Sequence, residues 1–66
     1  MRMLYNVVVE DEATNEVDII ARSFEEQPTL NYVNNNRRNY APAKLYATRI
    51  RADALRNPFK NCIQLK

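Results

Sequence analysis

The chain has 66 residues, with ten Lys or Arg, eight Asp or Glu, one Cys, and no His, Gly or Trp. This length allows one domain near the lower limit of independent folding, so residues 1–66 are expected to form a single small domain. Without His, catalytic triads and imidazole metal sites are excluded, and a lone thiol makes neither an internal disulfide nor a zinc site. The lack of Gly removes phosphate-cradling loops, so we expect a protein that is not an enzyme and holds no cofactor or metal.

The longest run of strongly apolar residues, which bears on whether the chain has a membrane span or a signal peptide, is Val7 to Val9. It is far shorter than the roughly 18 residues of a membrane span, and shorter than the apolar part of a signal peptide. A lone thiol in such a chain fits a reducing compartment. We therefore expect a cytoplasmic protein without membrane contact, in which Cys62 is a small buried hydrophobe.

Two runs rich in β-branched and aromatic residues, 3–9 and 17–22, predict a β-hairpin joined by the polar loop 11–15. In a chain without Gly the loop needs a residue that tolerates positive φ, and Asn15 is the candidate. Alternation along the two strands predicts one core-facing set. It consists of Met3, Tyr5, Val7, Val9, Val17, Ile19 and Ala21.

The segment Ser23-Phe24-Glu25-Glu26 has the form of a capping box and indicates a helix start. Pro28 complicates this start because it would lack an amide in the second turn, so the helix can instead begin near Thr29. The three asparagines 34–36 are poor helix formers that favour a left-handed end. The sequence therefore predicts a short helix that ends close to Asn36.

Residues 43–56 fit two templates. As a strand, the segment has one buried face (Tyr46, Thr48, Ile50 and Ala52) and one basic outer face (Ala47, Arg49 and Arg51). As a helix, it presents an apolar stripe made of Ala43, Tyr46, Ala47, Ile50 and Ala54. A third strand would stabilise a hairpin that is marginal alone, which favours the strand. We therefore predict an α+β fold in the order ββαβ, with a C-terminal extension over 57–66 that either docks as a final strand or lies partly loose.

Charge is strongly segregated along the chain. Residues 1–36 carry two basic and seven acidic side chains, a net charge of −5, whereas residues 37–66 carry eight basic and one acidic, a net charge of +7. The two halves can pack together and neutralise each other. Alternatively, the basic half can form a surface for an acidic partner or for nucleic acid.

Six side chains in the basic half are candidates for partner binding, because Tyr and Arg are enriched at interface hot spots. They are Arg37, Arg38, Tyr40, Arg49, Arg51 and Arg56. The leading hypothesis is a non-enzymatic protein-interaction module, an adaptor or stoichiometric inhibitor, that binds through this basic Tyr/Arg surface or an exposed sheet edge. The alternative is a small DNA- or RNA-binding protein whose five arginines contact phosphates.

The core available to so short a chain is small, with 18 large apolar side chains of Val, Leu, Ile, Phe and Met. Proteins of this size commonly rely on a disulfide, a metal, a ligand or a second subunit. The first two are excluded above, so we expect a homodimer or a partner that completes the core. Small chains of this kind are often encoded by phages and other mobile elements and dock on host proteins, which favours the same hypothesis.

Overall fold

One helix and four strands make up the part of the chain that the computed structural model describes, residues 2–66. In order they are β1 (Met3–Glu10), β2 (Val17–Ser23), α1 (Glu26–Tyr40), β3 (Lys44–Arg51) and β4 (Ile63–Gln64), with one 3-10 turn, Ala52–Ala54, after β3. The strands form a single sheet in the order β3-β1-β2-β4. Neighbours are antiparallel except for β4, which runs parallel to β2. The predicted α+β fold is confirmed, with β4 as its C-terminal addition.

The turn between β1 and β2 uses side chains where other hairpins use Gly. The Asp11 carboxylate accepts hydrogen bonds from the amides of Ala13 and Thr14 at 2.8 and 3.0 Å. Asn15 then adopts a φ of 62° and returns the chain to β2. The predicted hairpin is therefore confirmed, including the role of Asn15.

A β-bulge interrupts the pairing of β1 with β2. Val7 lies opposite Ala21, whereas Val8 lies opposite Ile19, so Ile20 is an extra residue in β2. Because side chains alternate along a strand, one extra residue exchanges the two faces for all residues beyond it.

This bulge makes part of the predicted core face wrong. Val7 and Ala21 do lie in the core beneath the helix, as predicted. Val17 and Ile19 lie beyond the bulge, on the opposite face of the sheet, and are 57% and 37% exposed. Ile20, the extra residue, packs against the helix-side core in their place.

The start of helix α1 lies between the two predicted alternatives. The helix begins at Glu26, so Pro28 occupies the first turn, where a missing amide removes no bond within the helix. Ser23 forms a local turn instead of a capping box, since its hydroxyl accepts a hydrogen bond from the amide of Glu25 at 3.0 Å. Glu25 is the N-cap and its side chain makes no capping bond.

The end of the helix corrects the prediction, because α1 continues through Asn36 to Tyr40 and is 15 residues long. Low helix propensity costs at most about 0.7 kcal/mol per Asn. Against it stand the buried Val33 and the rings of Tyr32 and Tyr40, which pack on the core. Packing therefore outweighs propensity here. Within residues 2–66, no helix is long and apolar enough to cross a membrane.

The core lies between α1 and the sheet. Val7, Ala21, Val33 and Leu45 form it, and each is at most 3% exposed. Leu45 and Val7 come from neighbouring strands, and Val33 comes from the middle of the helix. The apolar faces of helix and sheet are thus buried against each other.

Strand β3 confirms the strand interpretation over Lys44–Arg51 but reverses its two faces, and Ala52, predicted to lie in the strand, belongs to the 3-10 turn that follows. Ala47 lies opposite Val7, so it packs on the helix side of the sheet together with Leu45. Tyr46 and Thr48 therefore lie on the face away from the helix. The predicted basic outer face is the helix-facing side, and its basic residues lie near the end of the strand.

A polar network lies on the sheet face away from the helix, beside the buried Leu4 and Val8. Asn6 is 1% exposed, and its amide nitrogen donates to the Thr48 hydroxyl at 3.0 Å while its oxygen accepts from Arg22 Nε at 2.8 Å. Arg22 also donates to the carbonyl of Pro58 at 2.6 Å. This network ties the C-terminal segment across the face that the helix leaves open.

The C-terminal segment continues along the outer edge of β2. The amide of Leu65 donates to the Arg22 carbonyl at 2.8 Å, and the side chain of Leu65 packs against the core. The rings of Phe24 and Phe59 meet edge to face with centroids 5.4 Å apart. The segment is therefore docked, and it pairs with the last part of the β2 edge, at Ala21 and Arg22, whereas residues 17–20 of β2 have no strand beside them on this side.

Candidate protein-interaction surface

Three of the six predicted partner-binding residues lie in the last part of helix α1. Arg37 and Arg38 are exposed in its final turn. Tyr40 is half-buried, and its hydroxyl lies 3.4 Å from that of Tyr32. This shared hydrogen bond raises the pKa of Tyr32. The ring of Tyr40 thus supports the core, and only the two arginines are freely presented.

The other three predicted residues lie at or beyond the far end of β3. Arg49 is exposed on the helix side of the sheet, opposite Tyr5. Arg51 ends the strand and pairs with Asp53, with 3.0 Å between Arg51 Nη2 and Asp53 Oδ2. Arg56 is exposed in the C-terminal segment.

These six residues do not form one continuous patch. Three residues connect the end of α1 to Lys44, and Arg49 lies five residues farther along β3, roughly 16 Å at about 3.3 Å per residue. The basic side chains therefore divide into one group at the end of the helix and another at the end of β3. Within residues 2–66 the ion pair is Arg51 with Asp53, so no ion pair joins the acidic half of the chain to the basic half.

The second group borders an open edge of the sheet. β3 is the outermost strand and pairs only with β1. The Ala52 amide bonds to the Arg2 carbonyl at 3.0 Å, in register with the β1–β3 pairs. Because ladder bonds alternate, the backbone groups of Thr48 and Ile50 point to β1, whereas those of Ala47 and Arg49 point outward. The outward groups of this strand have no neighbouring strand to bond.

Beside this edge lies a cleft between α1 and β3. It has a volume of about 250 Å³, and its lining residues are Tyr5, Glu26, Thr29, Leu30, Ala47, Thr48 and Arg49. Thr29 is fully buried and its hydroxyl donates to the Glu25 carbonyl at 3.2 Å, whereas Leu30 is 38% exposed. The cleft therefore has a mixed lining, in which Leu30, Tyr5 and Ala47 are apolar and the exposed Glu26 and Arg49 carry opposite charges.

Sequence reasoning found Arg49 but missed the rest of this cleft. Leu30 is an isolated apolar residue in the sequence of the predicted helix, and Ala47 was predicted to lie on an outer face. Their proximity depends on which side of the sheet the helix covers, and alternation alone does not say which side that is. Exposure of the strand edge likewise depends on strand order, which is a property of the whole fold.

A second cleft lies at the opposite end of the sheet, next to the hairpin turn. It measures about 410 Å³ and is lined by Asp11, Glu12, Ala13, Tyr40, Pro42 and Ala43. The pKa of the Asp11 carboxyl is lowered because the amides of Thr14 and Ala13 donate hydrogen bonds to it. Those bonds belong to the turn, so the carboxylate is already used in holding the hairpin.

Reactive groups are sparse in the described part of the chain. Across residues 2–66, no group of three or more Cys, Asp or Glu side chains is placed to hold a metal ion. Cys62, expected to be buried, is half-buried and its thiol donates to the Pro58 carbonyl at 3.4 Å. Tyr46 donates to Glu10 at 3.0 Å, which raises the pKa of Tyr46. The strongest candidate for a site is therefore the open edge of β3 with its cleft, henceforth the β3 groove.

Comparison with known proteins adds nothing to this geometry. No family model, no curated protein and no solved structure matches the chain.

Proposed function

We propose that this chain is a non-enzymatic protein-interaction module that binds its partner by accepting an extended segment of it as an additional strand beside β3. The observation that carries this proposal is the unpaired outer edge of an eight-residue strand lying next to a cleft with a mixed polar and apolar lining. In strand addition, backbone hydrogen bonds supply affinity and pockets for alternate side chains supply specificity. The β3 groove offers both.

The form of β3 supports this use. Proteins commonly protect exposed edges with short strands, bulges, Pro or charged side chains, and of these β3 has only the charged side chains Lys44, Arg49 and Arg51. The bulge of this sheet lies between β1 and β2, and β3 contains no Pro. β3 pairs with β1 over its full length without a break in register, so its outer edge is long and regular.

Such a module can act as an adaptor or a stoichiometric inhibitor, since either role needs only a stable complex. The alternative, binding of DNA or RNA, is less well supported by the positions of the arginines. A phosphate-tracking surface needs a continuous row of cations, whereas Arg37 and Arg38 lie at the other end of the molecule from Arg49 and Arg51.

A selection from a displayed library of random short peptides tests the proposal. We expect the purified chain to enrich peptides that bind with an extended backbone. On titration of one such peptide, the largest changes in backbone amide chemical shift should fall on Ala47 and Arg49, which point to the outer edge. Changes centred instead on Arg37 and Arg38, or enrichment of no peptide at all, would contradict strand addition.

A pair of variants isolates the edge hydrogen bonds. Ala47→Pro removes an outward amide that β1 does not use, and Ala47→Val adds a side chain of similar size while keeping the amide. We expect Ala47→Pro to weaken peptide binding at least about tenfold relative to Ala47→Val, since one lost hydrogen bond plus blocked pairing is worth about 1.4 kcal/mol or more. Equal affinities for the two variants would count against the proposal.

A separate experiment tests the nucleic-acid alternative. A labelled mixed-sequence oligonucleotide is titrated at low and at physiological salt, with Arg37→Ala/Arg38→Ala as the variant. Tight binding that falls steeply with salt, and whose salt dependence is reduced in the variant, would replace protein interaction as the function.

A further inference from the structure

We infer that the segment accepted at the β3 groove is acidic and places one apolar side chain in the cleft. This inference rests on the proposed strand addition and names the chemistry of the partner at that site. It follows from three features of the groove: the direction of its side chains, the size and lining of its cleft, and its charge.

The direction of the side chains sets which partner residues reach the cleft. Ala47 and Arg49 present their backbone groups to the outer edge and their side chains to the helix side of the sheet. A partner residue directly opposite either of them has its side chain on the same face, with Cβ atoms about 4.5–5.5 Å apart. Every second residue of the partner therefore points toward α1.

The cleft has room for one such side chain. Its volume of about 250 Å³ lies below the roughly 300–1,000 Å³ of small-molecule pockets. Leu30, the half-buried Tyr5 and Ala47 give it apolar walls. Glu26, Thr29 and Thr48 also line the cleft, and the exposed Glu26 carboxylate disfavours a carboxylate inside it. The side chain that fits is a single aliphatic or aromatic one.

The rim of the groove favours acidic side chains, whereas the cleft favours an apolar one. Lys44 lies at the far end of β3 and on the opposite face of the sheet, whereas Arg49 and Arg51 lie on the helix side, at the end of β3 that borders the cleft. Within residues 2–66, Arg51 pairs with Asp53 and Arg49 forms no ion pair. Carboxylates that flank the inserted apolar residue would lie beside these cations. Complementary charge of this kind raises association rates and selects among partners.

The same cations argue against a second copy of this chain as the occupant. Pairing of β3 with β3 brings together two strands that each carry three cations and no carboxylate. Like charges at neighbouring positions of a sheet are destabilising, and basic residues on edge strands are a common protection against self-association. The groove is thus better suited to an acidic strand than to itself.

Four matched synthetic peptides test the inference. The parent alternates Glu with Thr around a central Leu. The second replaces each Glu with Lys, the third replaces the central Leu with Ser, and the fourth methylates alternate backbone nitrogens of the parent. We expect the parent to bind about tenfold more tightly than the Lys peptide and about fivefold more tightly than the Ser peptide, and the methylated peptide not to bind.

Variants of the chain locate the charge preference. Arg49→Gln should reduce the discrimination between the Glu and Lys peptides about threefold or more, whereas the matched change Arg38→Gln, at the end of the helix, should leave it unchanged. Equal loss in both variants would show that overall charge, and not the groove, selects the peptide, and would overturn the inference.

The outcomes separate this inference from the proposed function. If no peptide binds, or if the methylated peptide binds as well as its parent, strand addition itself fails. If the unmethylated peptides bind equally well whatever their charge and central residue, strand addition stands and the acidic, apolar partner is refuted. A dimer that Ala47→Pro dissociates would instead identify a second copy as the occupant and overturn the inference.

Discussion

The two edges of the sheet are finished in different ways. Beyond β2, the C-terminal segment adds the two-residue strand β4 and the packed side chain of Leu65. Beyond β3 there is no further strand, so the outer edge of this eight-residue strand faces solvent next to a cleft. One edge is therefore covered by the chain itself over its last part, at Ala21 and Arg22, and the other presents the outward backbone groups of its whole strand to solvent.

This difference follows from the path of the residues after β3. The segment after β3 crosses the sheet face away from the helix, where Pro58 bonds to Arg22, and reaches the far edge. It thereby leaves β3 uncovered. An exposed edge carries a risk of aggregation. The exposed edge of β3 is long and regular, and this makes the β3 groove a candidate for binding.

The largest effect is expected from the two leucines that anchor the edges. Leu45, which is 3% exposed in β3, should cost about 3 kcal/mol of unfolding free energy when changed to Ala, because it leaves a cavity in the core. Leu65, which is half-buried, should cost about 1–2 kcal/mol. Urea denaturation followed by circular dichroism measures both.

Equal losses for Leu45→Ala and Leu65→Ala would mean that the two edges contribute equally to the core. Should Leu45→Ala be too unstable to titrate, the pair Leu45→Val and Leu65→Val makes the same comparison with smaller changes.

An intermediate effect is expected from Arg22, which joins the sheet to the C-terminal segment. Arg22→Ala leaves the oxygen of the buried Asn6 side chain without its donor and frees the Pro58 carbonyl. We expect a loss of about 2 kcal/mol and faster amide hydrogen exchange in residues 57–64. Arg56→Ala, at an exposed position, is the control and should change stability by less than about 0.5 kcal/mol. Similar losses in both variants would contradict the bridging role of Arg22.

The smallest effect concerns pH at the end of β3 nearest the hairpin turn. The Tyr46 hydroxyl donates to Glu10, which raises the tyrosine pKa above its ordinary value of 10.0 in the folded chain. A raised folded pKa gives stability that is complete below about pH 10 and is lost as the pH rises through the folded pKa. Denaturation curves of the parent and of Tyr46→Phe should therefore converge as the pH rises above 10. A stability difference that stays constant over that range would refute the assignment.

Much of the fold could be predicted because local chemistry decides it. Two β-rich runs and an Asn suited to positive φ specify the hairpin, and Asn15 adopts that φ. The bulge at Ile20 could not be predicted, because nothing local distinguishes Ile20 from Ile19, which lies on the other face. The helix was underestimated because the contacts of Tyr32 and Tyr40 lie outside the helix itself.

The candidate site was less predictable than the fold. Arg49 could be selected by residue type, but Arg37 and Arg38 were selected by the same criterion and lie at the other end of the molecule. What distinguishes Arg49 is the neighbouring edge and the cleft against Leu30. Both features arise from strand order and from the face that the helix covers, and a single sequence carries no local signal for either.

The position of β1 has a consequence for how the molecule folds. Its pairs with β2 join residues that lie close together in sequence, whereas its pairs with β3 join residues 34 to 48 positions apart, from Glu10 with Lys44 to Met3 with Arg51. Closing the longer loop is slower, so the hairpin should form first and β3 should dock late, with the helix in place. The groove then exists only in fully folded molecules. A ligand bound there would raise the melting temperature with its concentration, and a proteolysis assay could detect that protection without any label.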